Sequence, residues 1–328
     1  MTSGPSSAVS RVTPLGTTTP VKKIWYDIRL FFTRNGTYML MALPGVALIF
    51  IFAYAPMPGI VIAFKDLKFN LGVWGSPWVG LDNFGYLFGT PLTARVLFNT
   101  IFMNALFIVT GTVAAITVAL LMNEVHGQFR SRIYQSSLFF PNFLSIVIVS
   151  YFVYAFLATD EGLINNLIKS AGGQPVLWYQ TPQAWPAILV IVNLWKGVGI
   201  SSIIYLATII GINPEFYEAA RIDGASKWAQ IRYITIPLLV PVITILTLLA
   251  IGRIFYADFG LFFIVTRDTP ALYPTTDVID TFVFRALRQL GDVGMAAAAG
   301  LAQSLIGFVL VIVSNLVVRR IDPEKALF

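Results

Sequence analysis

The stretch from Asn213 to Pro237, NPEFYEAARIDGASKWAQIRYITIP, is polar and charged between two apolar runs, and it indicates how the rest of the chain is organised. It begins with an asparagine followed by a proline. Asn213 can cap a helix, and Pro214 suits the first helical position, where a missing N–H leaves no hydrogen bond unmade. The pattern therefore predicts a helix that starts at Pro214 and runs to about Ile222.

Gly224 marks the end of this helix, since glycine adopts a positive φ without the clash of a Cβ atom. Ser226 follows it and can cap a second short helix, predicted from Lys227 to about Tyr233. Pro237 opens the next apolar run. The predicted order is helix, sharp turn, helix and membrane span.

The spacing of residues in this stretch resembles a known motif. The stretch contains Glu218-Ala219-Ala220, then Gly224 after three residues, Ile234 after nine more, and Ile236-Pro237 after one. This spacing resembles the E-A-A-x3-G-x9-I-x-L-P loop of permease subunits of binding-protein-dependent ABC importers. Only Ile236 departs from the motif, and isoleucine conserves the volume of leucine. The resemblance implies a cytoplasmic coupling loop that sits in a groove of a separate ATPase subunit.

The same resemblance assigns the ATPase contact to Glu218, Ala219, Ala220, Arg221, Asp223, Gly224 and Ala225. Glu218 would accept hydrogen bonds or a salt bridge from the ATPase, and the two alanines would keep the helix face small enough for the groove. Gly224 would make the turn. For Glu218, Arg221 and Asp223, a solvated helix face is the alternative.

Three further segments are similar to carbohydrate importers of the maltose type, and most to the branch that handles oligosaccharides and polysaccharide fragments. They are residues 62–66, 74–81 and 204–207. The resemblance implies a carbohydrate substrate, an extracytoplasmic substrate-binding protein and a second permease subunit in the pore. A heterodimer with a different permease is expected, and a homodimer is the alternative.

Composition identifies an integral membrane protein. Of the 328 residues, 57% are hydrophobic and 12% are charged, and a mean hydropathy of +0.77 leaves too little polar surface for a soluble globule. The chain contains no cysteine and a single histidine, which excludes disulfides and thiolate metal sites. The net charge of +6 comes without a basic stripe interleaved with aromatics, so nucleic acid is not an expected partner.

Six apolar runs are each near the ~20 residues that cross a bilayer. They are residues 38–64, 97–122, 138–158, 186–210, 237–263 and 295–318. We predict an all-α polytopic membrane protein of about six transmembrane helices, with a permease domain over residues 38–318 that includes the coupling loop, residues 213–237. Residues 1–37 would form a cytoplasmic tail and an amphipathic surface helix, and residues 319–328 a cytoplasmic C-terminal tail.

The distribution of lysine and arginine predicts the orientation. With the N-terminus inside, the cytoplasmic segments carry 13 of these residues and the external loops carry 7. The positive-inside rule then places both termini and the coupling loop in the cytoplasm. The family resemblance implies the inner, or plasma, membrane of a prokaryote.

The sequence carries no pattern typical of a catalytic site. It lacks G-x-x-x-x-G-K-[S/T], so no phosphate-cradling loop is expected, and it lacks the G-x-S-x-G and H-E-x-x-H patterns of hydrolases. We therefore expect no enzymatic activity and no cofactor bound by this chain. ATP and Mg would be used by the partner ATPase.

Charged residues inside the apolar runs point to a substrate pathway, because each costs about 2.5–3.5 kcal/mol at a helix centre. The candidate pathway residues are Asn193, Trp195, Lys196, Arg253, Tyr256 and Asp258. Sugars need hydrogen-bond donors beside flat apolar faces, which this set offers. The alternative for Lys196 and Arg253 is a contact with backbone carbonyls or with the partner permease, and for the aromatic residues Trp195 and Tyr256 it is a position that faces lipid. Asp258 is a candidate ion partner of Arg253.

A stand-alone secondary transporter is the rival hypothesis, with the three charges inside the spans as a proton or ion relay. It predicts uptake that follows an ion gradient and needs no ATPase. Pro44, Pro56 and Pro58 would break a span as in such transporters, but no second half repeats the pattern. A membrane enzyme is disfavoured, because no nucleophile or metal site is evident.

The predicted external loop over residues 65–95 contains Trp74 and Trp78 with several glycines and prolines, which is typical of a compact structure over a pore mouth. Two roles stay open for the tryptophans: an interfacial aromatic belt, or substrate gating and receptor docking. By the family resemblance, the external loops would contact the substrate-binding protein.

Overall fold

The computed structural model describes residues 20–89 and 91–321. Within those ranges the secondary structure is helical and contains no β-strand, which confirms the all-α prediction. The predicted tail residues 1–19 and 322–328, together with Thr90, lie outside the described residues. The chain divides into two compact units, residues 1–59 and 60–328.

The first unit contains α1 (Pro20–Ile49), which passes directly into a π-helix at Phe50–Tyr54. The predicted surface helix and the start of the first predicted span therefore belong to a single helix, with Pro44 inside it. Apart from the half-buried Met39, the large apolar side chains described in this unit are exposed. Such a surface fits lipid or another membrane protein rather than water.

The α-helices of the second unit are α2 (Gly72–Gly75), α3 (Asp82–Phe88), α4 (Pro91–Asn123), α5 (Gln128–Phe143), α6 (Ile146–Leu157), α7 (Leu163–Ser170), α8 (Trp185–Ile210), α9 (Pro214–Ile222), α10 (Lys227–Gln230), α11 (Ile236–Ile251), α12 (Tyr273–Thr276), α13 (Ile279–Arg285) and α14 (Val293–Ile321). Short 3₁₀ helices lie at Met57–Phe64, Trp178–Gln180, Pro182–Ala184 and Pro270–Leu272. Further π-helices lie at Ile231–Thr235, Gly260–Val265 and Ala286–Leu290.

Among the described residues, five stretches are long and apolar enough to cross a membrane: Asn35–Phe64, Leu92–Asn123, Pro182–Ile210, Lys227–Ile251 and Val293–Arg320. A sixth span exists if α5 and α6, which meet at a bend of 96°, are counted as one. The prediction of about six transmembrane helices is confirmed.

The third apolar run, residues 138–158, differs from a simple span because it contains this bend. Helix α5 ends at Phe143, Leu144 is extended, and Ser145 caps α6 by accepting a hydrogen bond from the N–H of Ile148. Helix α6 has 12 residues, about 18 Å at ~1.5 Å per residue, which is too short for a ~30 Å hydrocarbon core. The mean hydropathy of the run gives no sign of the bend, because one serine among apolar residues barely changes it.

The fifth apolar run, residues 237–263, is also interrupted. Helix α10 is joined to α11 through a π-helix, so that Lys227–Ile251 is one continuous span. Turns follow at residues 252–255, and helical structure resumes only beyond Asp258. Residues 252–258 are called the unwound segment below.

The core of the second unit lies where α6 and α8 pack against the π-helix that precedes Thr266. Trp185 and Phe262 are buried in it. Helix α8 also approaches α5 closely, since a Cβ atom on Gly199 would lie 2.1 Å from the carbonyl oxygen of Leu138. This packing fixes α8, which carries half of the pathway candidates.

The loop at residues 65–95 is organised by a buried lysine. The Lys65 ammonium donates to the carbonyl oxygens of Val73 at 2.9 Å and Trp74 at 3.0 Å, and it lies 5.0 Å from the centroid of the Trp78 ring. Trp74 and Trp78 are themselves 74% and 66% exposed. The loop is therefore compact at its start, and the two tryptophans project from it.

Candidate functional sites

The coupling loop begins as the sequence predicts. Asn213 is the N-cap of α9, with its Oδ1 accepting a hydrogen bond from the N–H of Glu215 at 3.1 Å, and Pro214 occupies the first helical position. Glu215 lies in the first turn, where the helix dipole favours a carboxylate. The Asn-Pro pair therefore sets the start of the helix.

Gly224 ends α9 in a Schellman arrangement. Its φ is +78°, its N–H donates to the carbonyl of Arg221 at 3.1 Å, and the N–H of Ala225 donates to the carbonyl of Ala220 at 2.8 Å. Ser226 then caps α10 by accepting a backbone N–H at 3.2 Å. The predicted helix, turn and second helix are confirmed.

Two contacts join the coupling loop to the transmembrane helices. The Tyr217 hydroxyl and the Thr235 Oγ1 are 2.9 Å apart, which joins α9 to the π-helix that leads into α11. The Lys227 ammonium lies 2.9 Å from a carboxylate oxygen of Glu124, which follows α4. The ion pair is exposed and therefore weak, whereas the hydroxyl pair is half-buried. Helix α9 is thus linked to the start of the span Lys227–Ile251.

The predicted coupling residues lie at the surface: Glu218, Ala219, Arg221, Asp223 and Gly224 are exposed, and Ala220 and Ala225 are half-buried. Beside them, the side chains of Phe216, Ile222 and Trp228 are 55%, 86% and 70% exposed. Large exposed apolar side chains next to a charged helix are typical of a protein interaction surface. The loop offers such a surface to a partner.

Lys196 lies on α8 beside the bend between α5 and α6. Its ammonium donates hydrogen bonds to the carbonyl oxygens of Asn142 at 3.1 Å and Leu144 at 3.0 Å. These groups lie at the C-terminal end of α5, where carbonyls lack helical partners and the dipole favours a cation. These hydrogen bonds agree with the alternative given for Lys196, a contact with backbone carbonyls, and they stabilise the bend.

Asn193 lines a cavity of about 310 Å³ between α4, α8 and α11. Thr112 and Tyr205 add polar groups to its wall, which is otherwise largely apolar. Ala250 also lines it, so the cavity reaches the last turn of α11 before the unwound segment. Trp195 is 43% exposed and lies outside this lining. The structure therefore separates these two neighbours.

The remaining candidates, Arg253, Tyr256 and Asp258, lie on the unwound segment and are exposed. The candidate ion pair between Arg253 and Asp258 does not form within the described ranges. The Asp258 Oδ1 instead accepts a hydrogen bond from the N–H of Leu261 at 3.0 Å. The helix ends before Arg253, so a helical spacing does not apply. The Tyr256 hydroxyl lies 2.7 Å from the Oγ of Ser304.

Side chains from three other helices bind the backbone of the unwound segment. Asn104 of α4 and Gln303 of α14 donate to its carbonyls at 2.9 and 2.7 Å, and Asp280 of α13 accepts the N–H of Ala257 at 2.8 Å. Burial raises the pKa of the Asp280 carboxyl, while the hydrogen bonds that it accepts lower it. Non-helical backbone at membrane depth requires such partners.

None of these three residues is among the candidates drawn from the sequence. Those candidates are the charged residues of the apolar runs and polar or aromatic residues near them, whereas Asn104 and Gln303 are uncharged and Asp280 lies between two runs. A search for asparagine and glutamine within the runs would have found Asn104 and Gln303. Asp280 carries no local signal, because only the tertiary fold brings it to the unwound segment.

Comparison with known proteins gives consistent matches. The family described as "Binding-protein-dependent transport system inner membrane component" matches residues 107–323. The "Polygalacturonan/rhamnogalacturonan transport system permease protein YteP" of Bacillus subtilis (strain 168) is 34% identical over 285 residues, 87% of this chain and 88% of that protein. Protein LplB of the same organism is 32% identical over 291 residues, 89% of this chain and 91% of that protein.

A solved structure is similar over nearly its whole length. It is the crystal structure of a bacterial ABC transporter involved in the import of the acidic polysaccharide alginate, with a TM-score of 0.81 and 34% identity. The match covers 92% of this chain and 99% of that one. These similarities confirm the resemblance drawn from the coupling loop.

Proposed function

Because this chain belongs to the binding-protein-dependent transport system inner membrane components, we propose that it is the transmembrane permease subunit of an ATP-driven ABC importer. Its cargo would be carbohydrate, as an oligosaccharide or polysaccharide fragment, since the similar proteins are a polygalacturonan/rhamnogalacturonan permease and a transporter involved in alginate import. The observation that carries the proposal is the coupling loop, a capped helix with an exposed face that is joined to a membrane span.

A movement of α9 would reach the unwound segment through one helix. The span Lys227–Ile251 has 25 residues, about 38 Å at ~1.5 Å per residue. The contact between Tyr217 and Thr235 holds α9 to the start of this span, and the unwound segment follows its end. Closure of the ATPase subunits would push α9, and alternating access requires different contact free energies at the loop in the two states.

The sugar pathway would pass the cavity at Asn193 and the unwound segment. Arg253, Tyr256 and Asp258 expose a guanidinium, a hydroxyl and a carboxylate there, which suits a substrate rich in hydroxyl groups. Lys196 uses two of its three N–H groups on carbonyls of α5. We therefore assign Lys196 to the support of the bend, and Asn193, Arg253, Tyr256 and Asp258 to the pathway. Trp195, on α8 but outside the cavity, stays a candidate for contact with the sugar.

The importer would contain further subunits. Two ATPase subunits would bind ATP and Mg, while this chain would bind no cofactor. A second permease, expected to be a different polypeptide, would complete the pore, and an extracytoplasmic binding protein would deliver the sugar. The protein would lie in the inner membrane of a prokaryotic cell, with the coupling loop and both termini in the cytoplasm. An ion-coupled secondary transporter would have no use for the coupling loop.

Co-purification of the ATPase tests the proposal. The chain would be isolated from membranes in mild detergent as wild type, as Glu218→Lys and as Gly224→Asp. Glu161→Lys serves as the matched control, because it makes the same charge change at an exposed residue far along the chain from the loop. We expect the ATPase to accompany wild type and Glu161→Lys only, while the second permease stays bound to all four.

A wild-type chain that brings down the second permease but no ATPase would contradict the assignment. Retention of the ATPase by both coupling-loop variants would instead contradict the roles given to Glu218 and Gly224.

A further inference from the structure

A cavity of about 490 Å³ lies near the start of α8, whereas the coupling loop follows the end of this helix. Tyr154 of α6, Tyr179 and Arg267 contribute to its wall. The ring of Tyr179 packs at 5.0 Å against that of Trp185, the first residue of α8, and the coupling loop follows the last turn of α8. With 26 residues, α8 separates the two places by about 39 Å. If the coupling loop is cytoplasmic, this cavity faces the external side.

A strained turn places Arg267 at the cavity. Arg267 and Asp268 have φ values of +58° and +44°, in the left-handed region that costs a non-glycine residue on the order of 1–3 kcal/mol. The Asp268 carboxylate fixes the turn by accepting hydrogen bonds from Arg285 and Tyr273. The Arg267 guanidinium then lies 4.2 Å above the ring of Tyr154.

Two hydrogen-bond donors at this cavity lack a partner within the described part of the chain. The buried hydroxyl of Tyr179 has none, and the Arg267 guanidinium makes only its contact with the Tyr154 ring. Burial raises the pKa of Tyr179 to about 12, although Arg267 opposes the shift, so the hydroxyl keeps its proton at neutral pH. An unpaired buried donor costs about 1–3 kcal/mol. An acceptor that entered the cavity would remove this cost.

Acceptors line the same cavity. Asp160 and Glu161 are exposed, and within residues 20–89 and 91–321 neither forms an ion pair with Arg267. Arg267 is exposed as well, so water and salt screen all three charges over ~8 Å, and the two carboxylates repel a bound anion only weakly. The cavity thus offers a guanidinium, a buried hydroxyl and two carboxylates to a ligand.

We propose that this cavity binds one acidic sugar unit of a saccharide before it reaches the transmembrane pathway. The carboxylate would meet the guanidinium of Arg267 and the hydroxyl of Tyr179, and the ring hydroxyls would meet Asp160 and Glu161. Guanidinium binds carboxylate through two parallel hydrogen bonds, and the cavity volume falls within the ~300–1,000 Å³ of small-molecule sites. The inference rests on the proposed function and adds a preference for units that carry a carboxylate.

Calorimetry with two probes tests this subsite. The assembled complex of permeases and ATPases in lipid nanodiscs, without binding protein, would be titrated with trigalacturonate and with its fully methyl-esterified form. Arg267→Gln should weaken binding of trigalacturonate about tenfold or more and leave binding of the ester unchanged. Tyr179→Phe should weaken it about threefold. Arg288→Gln is the matched control, since it removes an exposed arginine outside the cavity and should change nothing.

Equal binding of trigalacturonate by wild type and Arg267→Gln would overturn the inference, as would the absence of binding by wild type. A variant that binds the probe normally but responds less to the binding protein in ATPase activity would also overturn it, because Arg267 would then contact a protein carboxylate. Co-purification of the ATPase keeps these outcomes separate, since a wild-type complex that lacks the ATPase would count against the proposed function instead.

Discussion

Replacement of Lys196 by methionine tests whether this lysine stabilises the bend between α5 and α6. The substitution removes the ammonium and keeps a long apolar side chain. In the structure, the ammonium donates to the carbonyls of Asn142 at 3.1 Å and Leu144 at 3.0 Å. Lys196→Met would leave both acceptors unpaired at the end of α5.

Two opposing free energies set the size of the effect. A hydrogen bond from a charged group contributes about 1.5–3 kcal/mol, so the two bonds contribute about 3–6 kcal/mol. A lysine at the centre of a membrane helix costs about 2.5–3.5 kcal/mol, which methionine avoids. The difference centres on a destabilisation of about 1.5 kcal/mol. Lys196→Met should therefore fold, with a lower melting temperature and a looser bend.

The absence of cysteine from the chain allows a direct measurement of the bend. Spin labels on Ser136→Cys in α5 and Tyr151→Cys in α6, both exposed positions, would report the distance between the two helices. We expect Lys196→Met to broaden the distance distribution. Lys169→Met is the matched control, because Lys169 is exposed at the end of α7 and donates to the carbonyl of Asp160 at 3.2 Å. It should change stability by no more than about 0.5 kcal/mol.

A Lys196→Met variant that melts like wild type and keeps a narrow distance distribution would contradict the role of Lys196 at the bend. If such a variant also failed to transport, Lys196 would belong to the substrate pathway.

Three further substitutions test the coupling loop, the helix packing and the unwound segment. Gly224→Ala should destabilise the protein by about 1–2 kcal/mol, because φ is +78° there, and Gly224→Asn by less. Equal melting temperatures of the alanine variant and wild type would argue against a strained turn. Gly199→Ala should lower the melting temperature, at a cost of about 1–3 kcal/mol, since its Cβ would lie 2.1 Å from the Leu138 carbonyl oxygen. Gly197→Ala should not lower the melting temperature, because the space around its Cβ is open. Similar melting temperatures for the Gly199 and Gly197 variants would count against close packing between α5 and α8. Asp280→Ala should lower the free energy of unfolding by about 1–3 kcal/mol, because it leaves a backbone N–H of the unwound segment unpaired. Asp280→Asn keeps an acceptor oxygen and should melt close to wild type. A low melting temperature for Asp280→Asn would indicate a role for the charge.

The coupling loop could be predicted almost completely from the sequence, because its determinants are local. The caps at Asn213 and Ser226 act on N–H groups two or three residues away, and Gly224 acts through its own φ. Membrane spans can also be predicted from the sequence, since each must be largely apolar along its whole length. Both predictions needed no knowledge of which helices are neighbours.

The pathway candidates were predicted less well, because their roles depend on neighbours that the sequence does not reveal. Lys196 turned out to bind carbonyls 52 and 54 residues away, and Arg253 does not pair with Asp258 within the described ranges. A charge in an apolar run indicates only that a partner must exist. It does not indicate which one.

The fold class, the approximate number of spans, the coupling loop and the family can all be read from the sequence, because they follow from hydropathy or from contacts within a few residues. The breaks in the third and fifth apolar runs, and the roles of Asn104, Asp280 and Gln303 at the unwound segment, become visible only in the folded protein. A break in a helix leaves backbone groups without partners, and side chains from distant helices satisfy these groups.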